Sequence, residues 1–552
     1  MATPAEPNPS PSPEAAPGPD LAPKWAWVAA MVALAWVAIV RIPLALASPA
    51  HLDSDLAVDG LTLLGATRGH WPWHYPGTPY IGSLPIFLSY GQAMIRGVGP
   101  ETLVSGGVVA YGAVVLATFL MNLRAFGPKV AAWGLIPLAF ASTGMIWLSG
   151  RITGGHLLVA AWHAAAFAML VDCLKLGGPR RWATLGLWSG LGLWVDSMFA
   201  ATGFGLLVGA LAGGRPWRRG EGSGPKGRAR ACLLALAVGS AVGVVPRFVG
   251  KAVDPHDSYA EQFEPVTRGD VLAGHAKILA LDCLPRLIAG HRLPGFQAEP
   301  DPIALPAESR GAEEEGMTSL ALAVVVVSLG LFAASCVALI GDFKAGRDPG
   351  RSAVRWGLLA SEALVLVGFV ANRNIFNSDN YRYLVFLIPP WSAGFGLLIR
   401  AWSAREGDGK ALAWSAALGL AGLMTLDSIH WYQRFGWLDG SYRPVSQVSA
   451  DPALSWLRAH PEVDAIVADY WDAYRLAFLT GGRVRGVPFP EYPDRFPAIA
   501  RGLPGGRPRT LIVRAGRLGP SYRARALAEG GREVFRRPGI SVVDWPAPGA
   551  RP

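Results

Sequence analysis

Charge is scarce in this chain: Asp, Glu, Lys and Arg make up 16% of the 552 residues, against roughly a quarter in soluble domains. That scarcity, with 51% hydrophobic residues, 21 Trp and a mean hydropathy of +0.30, excludes an ordinary soluble globule. Cysteine is scarce too. Cys173, Cys232, Cys283 and Cys336 show no CxxC spacing and three lie in or beside hydrophobic stretches, so neither a metal knuckle nor a disulfide framework is legible. Basic residues are missing before Lys24, and the first hydrophobic run is too long for a signal-peptide core. Trp25 to Ser48 is therefore expected to remain as an anchor, behind a Pro/Ala-rich disordered cytoplasmic tail at 1–23. No repeat of 20 to 50 residues is evident.

What is abundant is blocks of apolar residues of membrane-spanning length, about 17 to 25 residues each. They lie near 25–48, 101–123, 130–148, 156–174, 231–250, 317–341, 356–371, 383–399 and 411–432, and the region 182–213 holds two short spans bent at Asp196-Ser197, which makes eleven. An odd number puts the termini on opposite sides, and Lys and Arg accumulate in short cytoplasmic loops. With the N-terminus inside, nineteen Lys and Arg fall in inside segments, while the short outside loops hold four, Arg68, Arg96, Arg151 and Arg373. The segment after the first span, the large loop 251–316 and the C-terminal region are thus expected on the outer face of a bacterial inner membrane. The net charge of +10 lies largely in cytoplasmic loops facing lipid headgroups and calls for no nucleic-acid partner.

From about 445 to 552 the pattern becomes that of a soluble α/β domain of roughly 100 residues, expected in the periplasm. Asp451-Pro452 reads as cap and first turn of a helix to His460, followed by a strand at Val463 to Val467 and a helix at Asp472 to Leu479. Strands at Arg483 to Val487 and Thr510 to Val513 and a helix at Ser521 to Glu529 complete the reading. Residues 24–435 form the transmembrane domain, with a first outer loop at 49–100.

That first loop is where chemistry is expected. Asp53 and Asp55 stand just outside the first span, and carboxylates at the edge of a polytopic protein are costly unless solvated or paired. Asp55, Asp59 and Thr62 are spaced by four and three, so a helix from Asp55 to Arg68 would set them on one face while Leu56, Leu61, Leu63 and Leu64 touch lipid or protein. The bland alternative is that Asp55 caps this helix. A Tyr/Gly/Pro-rich turning stretch, YPGTPYIGSL at 75–84, follows.

The segment DSDLAVDGLTLLGATRGHWPWHYPGTPYIGSLP resembles the first outer loop of the GT-C superfamily of polytopic glycosyltransferases, in the branch of protein mannosyltransferases and aminoarabinose transferases. Leu84 to Gly99 resembles that family's re-entrant or juxtamembrane helix and is not counted as a span. The resemblance implies a mostly α, polytopic GT-C fold, a sugar donor carried on polyprenyl phosphate, and a hydroxyl acceptor on a glycan, lipid or protein. It also implies an acidic base in the first loop. Asp55 matches that position best and Asp53 is the runner-up. A carboxylate suits the task because the acceptor proton must leave as the bond to C1 forms. The chain departs from the family at Leu56, where the branch has a second adjacent acid, and at Ser83, where it has Lys. No metal or cofactor is therefore expected, and the phosphate charge must be met elsewhere.

Arg382 is the candidate for that charge. SDNYRYLVFLIPP at 378–390 resembles the family's segment at the outer end of a late span, with Tyr383 beside Arg382, and a guanidinium binds phosphate through two parallel hydrogen bonds. The alternative is a snorkelling Arg in a tyrosine belt. Tyr80 belongs to the loop motif. Arg151 and His156 bracket a Gly-rich outer turn and could reach sugar or phosphate, or anchor the interface. His275, Lys277 and Arg286 lie on an amphipathic stretch expected to rest on the membrane. Asp196 reads as a solvated turn or a site residue, Glu313 to Glu315 as solvated loop, and the aromatic helix at 469–480 as core or as a sugar platform. The competing functional class is a transporter or lipid flippase. Such proteins often pair repeated halves with broken helices at the midplane, whereas here the acids cluster on one face.

Overall fold

The chain is described from a computed structural model covering residues 23–49, 51–151, 155–213, 225–253, 264–293, 318–342, 348–375, 378–434, 436, 451–503, 507–514 and 518–546. The expected tail and Glu313 to Glu315 lie outside the described residues.

The chain is a bundle of apolar helices with a small sheet domain after it. Eight described helices are long and apolar enough to cross a membrane: Lys24–Leu46, Pro100–Phe126, His156–Leu176, Ala229–Val253, Ser319–Ile340, Pro349–Ala371, Asn380–Ser403 and Gly409–Arg434. The remaining expected spans take other forms. The segment read at 130–148 is two helices, Pro128–Ala139 and Thr143–Ser149, bent by 83°. Pro137 lies within the end of the first limb, and Ser142 starts the second by accepting the Met145 amide at 3.1 Å, a capping signal inside an apolar run. The region 182–213 forms helices Pro179–Val195 and Phe199–Ala212, of 17 and 14 residues. The first of these packs directly on Ala229–Val253 through glycine: a Cβ on Gly186 would sit 2.1 Å from the Leu236 carbonyl oxygen, and one on Gly239 2.2 Å from that of Ala183. Small residues that let backbones touch are how helices associate where no hydrophobic force separates protein from solvent.

The amphipathic stretch of the large loop does more than rest on a surface. Its helix Gly269–Ile278 runs through a π turn at Leu279–Cys283 into Leu284–Ala289. Cys283, Leu287, Ile288 and Ala289 are fully buried in the bundle, and the Ser142 hydroxyl donates to the Leu287 carbonyl at 2.7 Å. The part from Asp282 on meets protein, whereas on Gly269–Ile278 only His275 is buried.

The first loop folds as the helix Ser54–Thr67, then a hairpin of β1 (His74–Tyr75) and β2 (Thr78–Gly82), then helices Leu84–Phe87 and Tyr90–Arg96, both too short to span. The hairpin turns at Gly77, whose φ of 68° a side chain would oppose.

The C-terminal domain has the expected strands as β3 (Ala465–Ala468), β4 (Arg485–Pro488) and β5 (Thr510–Arg514), mutually parallel around β3. Two further strands, β6 (Arg532–Arg537) and β7 (Ile540–Asp544), join antiparallel to give the order β4-β3-β5-β7-β6. The charged, largely exposed sequence of β6 carries little strand signal, consistent with its edge position. This domain docks on the first loop: helix Tyr470–Leu479 lies against Ser54–Thr67, and Gly60 faces the Phe478 ring so closely that a Cβ there would be 2.3 Å from a ring carbon.

Candidate functional site

Asp53, and not Asp55, caps the loop helix: its Oδ1 accepts the Leu56 amide at 2.9 Å. Its other oxygen pairs with Arg151, which also donates to the His51 carbonyl at 3.3 Å and lies 4.3 Å over the Trp147 ring. Asp53 is 6% exposed, and burial pushes its carboxyl up against the opposing pull of Arg151. Arg151 is thus a partner of the first loop rather than a bare anchor. Burial lowers neighbouring His51 to about 4, so that ring is neutral at pH 7 and donates to the Leu44 carbonyl at 2.9 Å.

Asp55 sits in the first turn with a side chain 24% exposed, against 7% for Asp53. The Tyr470 hydroxyl donates to its Oδ1, and the Arg495 guanidinium lies 3.7 Å from the same oxygen and 3.2 Å from the Tyr470 hydroxyl. Burial, then the Asp55 charge, push the Tyr470 phenol well up, so it stays protonated and able to donate. The Ser54 hydroxyl donates to the Tyr470 carbonyl, and the Tyr75 hydroxyl to the Asp55 carbonyl at 3.4 Å. Arg495 is itself held by its amide, which donates to the Tyr474 hydroxyl at 2.7 Å. Both Tyr470 and Arg495 come from the C-terminal domain. The aromatic run at 469–480 was visible in the sequence as core or a sugar platform, but nothing there aimed Tyr470 at Asp55, and no signal marked Arg495.

Asp59, one turn on, is fully buried, and no hydrogen bond reaches either oxygen. Burial pushes its carboxyl well up, with the nearby Tyr75 phenol opposing and the Asp55 charge adding to the shift.

Arg382 lies in the 3-10 segment Ser378–Leu387, half-buried, with its guanidinium 5.3 Å over the Tyr383 ring. Tyr383 meets His156 edge to face at 5.1 Å, and His156 Nδ1 is 3.3 Å from Asp196. Asp196 is fully buried, which corrects its reading as a solvated turn. Its backbone bridges to Ile81, and next to it the Ser197 amide donates to the Tyr80 carbonyl at 3.1 Å. Arg247 donates to that same carbonyl at 3.3 Å. The hairpin therefore touches both groups, Asp55 through Tyr75 and the Arg382 to Asp196 chain through Ile81. Lys277 stands apart, exposed on its helix with no ion pair or hydrogen bond among the described residues, while His275 is held by the Val370 carbonyl at 2.9 Å. Arg286 lies 5.5 Å over the ring of Tyr381, next to Arg382 in the chain. Among the described residues no three His, Cys, Asp or Glu converge as a metal site.

No family model and no curated protein matches this sequence. The fold does match solved structures. ArnT from Cupriavidus metallidurans in the apo state superposes with a TM-score of 0.55 at 14% identity, covering 96% of this chain and 99% of that one. The same protein bound to undecaprenyl phosphate gives 0.54, with the same identity and coverage. The archaeal oligosaccharyltransferase AglB from Archaeoglobus fulgidus, in complex with an inhibitory peptide and a dolichol-phosphate, is a looser likeness at 0.48 and 12% identity, covering 95% and 75%. The ArnT matches establish the fold alone: a bundle of apolar helices with a small α/β domain after it, shared along almost the whole of both chains.

Proposed function

We propose that this chain is an integral membrane glycosyltransferase that moves a sugar from a polyprenyl-phosphate donor to a hydroxyl acceptor on the outer face of the membrane. The observation that carries the reading is Asp55. On a fold shared with a protein that binds undecaprenyl phosphate, it is the most exposed carboxylate of the first-loop acids, its side chain 24% exposed against 7% for the Arg151-paired Asp53, with Asp59 fully buried. Asp55 takes the acceptor's proton as the hydroxyl oxygen attacks C1, the bond from C1 to the phosphate oxygen breaks with inversion, and the lipid phosphate leaves. Arg382 meets the charge that develops on it. Tyr383 and His156 buttress Arg382, the hairpin with Tyr80 joins that end of the site to the base, and Arg151 holds Asp53 so that the loop helix starts in place. Lys277, exposed on the large loop, is left to the donor's headgroup region.

In this reading the N-terminus is cytoplasmic, the domain from about 445 to 552 is periplasmic, and the chain works in a bacterial inner membrane within the cell envelope. The deciding experiment is Asp55→Asn in detergent-purified protein supplied with undecaprenyl-phosphate-linked sugars. Loss of transfer with unchanged expression and thermal unfolding supports the base, and full activity removes it. Movement of a solute across proteoliposomes with no covalent product would favour the transporter instead.

A further inference from the structure

Asp55 offers two oxygens and its neighbours use one. Tyr470 and Arg495 both converge on Oδ1, whereas no described residue bonds Oδ2. A carboxylate on a short side chain turns readily about its last torsion, which has only broad, shallow preferences. A hydrogen bond from Tyr470 and the Arg495 charge 3.7 Å away, both on the same oxygen, restrict that freedom and turn the other oxygen in a fixed direction. Both residues are held in place: Tyr470 is 3% exposed and held at its carbonyl by Ser54, Arg495 is held through its own amide, and the helix bearing Tyr470 is seated on the loop helix at Gly60 and Phe478.

We propose that Tyr470 and Arg495 are positioning residues for Asp55, supplied by the C-terminal domain, which hold Oδ1 so that Oδ2 faces the acceptor hydroxyl. This rests on the reading of Asp55 as the base. The domain is then part of the reaction centre and not an appendage that only collects acceptors. The clamp does not block the base, because it occupies one oxygen of a side chain that remains 24% exposed. Arg495 acts as a single charge 3.7 Å away, without the paired geometry of a fork, so the charge matters more than the planar shape.

The test uses the full chain with undecaprenyl-phosphate-linked hexoses and pentoses, counting released undecaprenyl phosphate. Tyr470→Phe and Arg495→Gln are expected to lower kcat by about 10- to 100-fold, the scale on which misplacing a reacting group acts, with donor KM within about twofold. Arg495→Lys restores kcat to within about threefold of wild type. Combined with Asp55→Asn, neither variant lowers the residual rate further, since residues acting as a unit are not additive. Wild-type kcat in both single variants, with Asp55→Asn inactive, overturns the positioning role and leaves the base standing. Loss of kcat in step with thermal stability, without rescue by Arg495→Lys, reduces both residues to structural contacts and also overturns it. An active Asp55→Asn removes the reading beneath.

Discussion

Arg151 and Asp53, 98 residues apart in sequence, form a buried ion pair where the first loop meets the end of the bent helix pair. Removing one member leaves the other charge buried and uncompensated, which costs about 3 kcal/mol. Asp53→Asn is therefore expected to lower the thermal midpoint in detergent, as is Arg151→Met, while Asp55→Asn leaves it unchanged. Replacing both members costs less than the sum of the single changes. A midpoint unmoved by Asp53→Asn would show that the pair does not hold the loop.

Gly60 meets Phe478 across the interface between the first loop and the C-terminal domain. Alanine in a helix interior normally gains up to about 1 kcal/mol over glycine. Here its Cβ would press on a ring that is 5% exposed and has little room to turn, and overpacking of this kind costs about 1 to 3 kcal/mol. Gly60→Ala should lower transfer and speed hydrogen exchange along Tyr470–Leu479. Adding Phe478→Leu should recover both, which a clash elsewhere would not allow.

Asp59 gives a dependence on pH with a definite sign. Its folded carboxyl is raised by burial, so between its unfolded value and that raised value the folded state binds more protons than the unfolded one, and stability falls as pH rises. Asp59→Asn keeps the neutral shape without the proton. Thermal midpoints of wild type and variant should diverge in favour of the variant as pH goes from about 4 to 8. Parallel curves would mean that Asp59 is charged in the folded protein.

For Arg382, substitution by Lys keeps the charge and loses the two-pronged contact. If it clamps the donor phosphate, the change costs on the order of 2 to 3 kcal/mol, or roughly 30- to 150-fold in rate. A snorkelling anchor would transfer sugar at the wild-type rate after the same change.

Transfer is also expected to persist in excess EDTA. Leu56 stands beside Asp55 in place of a second acid, and Asp53 is engaged by Arg151 and the Leu56 amide. Strict dependence on Mg²⁺ or Mn²⁺ would point to a diphosphate donor and to both aspartates as ligands.

Hydropathy blocks carried the helical bundle, and the run DSD followed by a Tyr/Gly loop carried the place of the proposed site, because both are patterns local in sequence. What escaped was set by distance or by context. The 83° bend needs Ser142 to act as a cap within an apolar run, which periodicity averages away. The identity of the cap as Asp53 turned on a shift of two residues in where the helix begins. The burial of Asp196 depends on the hairpin reaching it through Ile81. Arg495 has no local signature, since its relation to Asp55 exists only after two domains have docked.

That docking has a temporal side. Asp55 and Tyr470 are separated by 415 residues, and at synthesis rates of about 5 to 20 residues per second roughly 20 to 80 s pass between them. Strand β7, which pairs with β5 inside the sheet, is later still. For that interval the aspartate is without Tyr470 and Arg495, so if Asp55 is the base that they position, the order of synthesis itself keeps a half-made chain inactive.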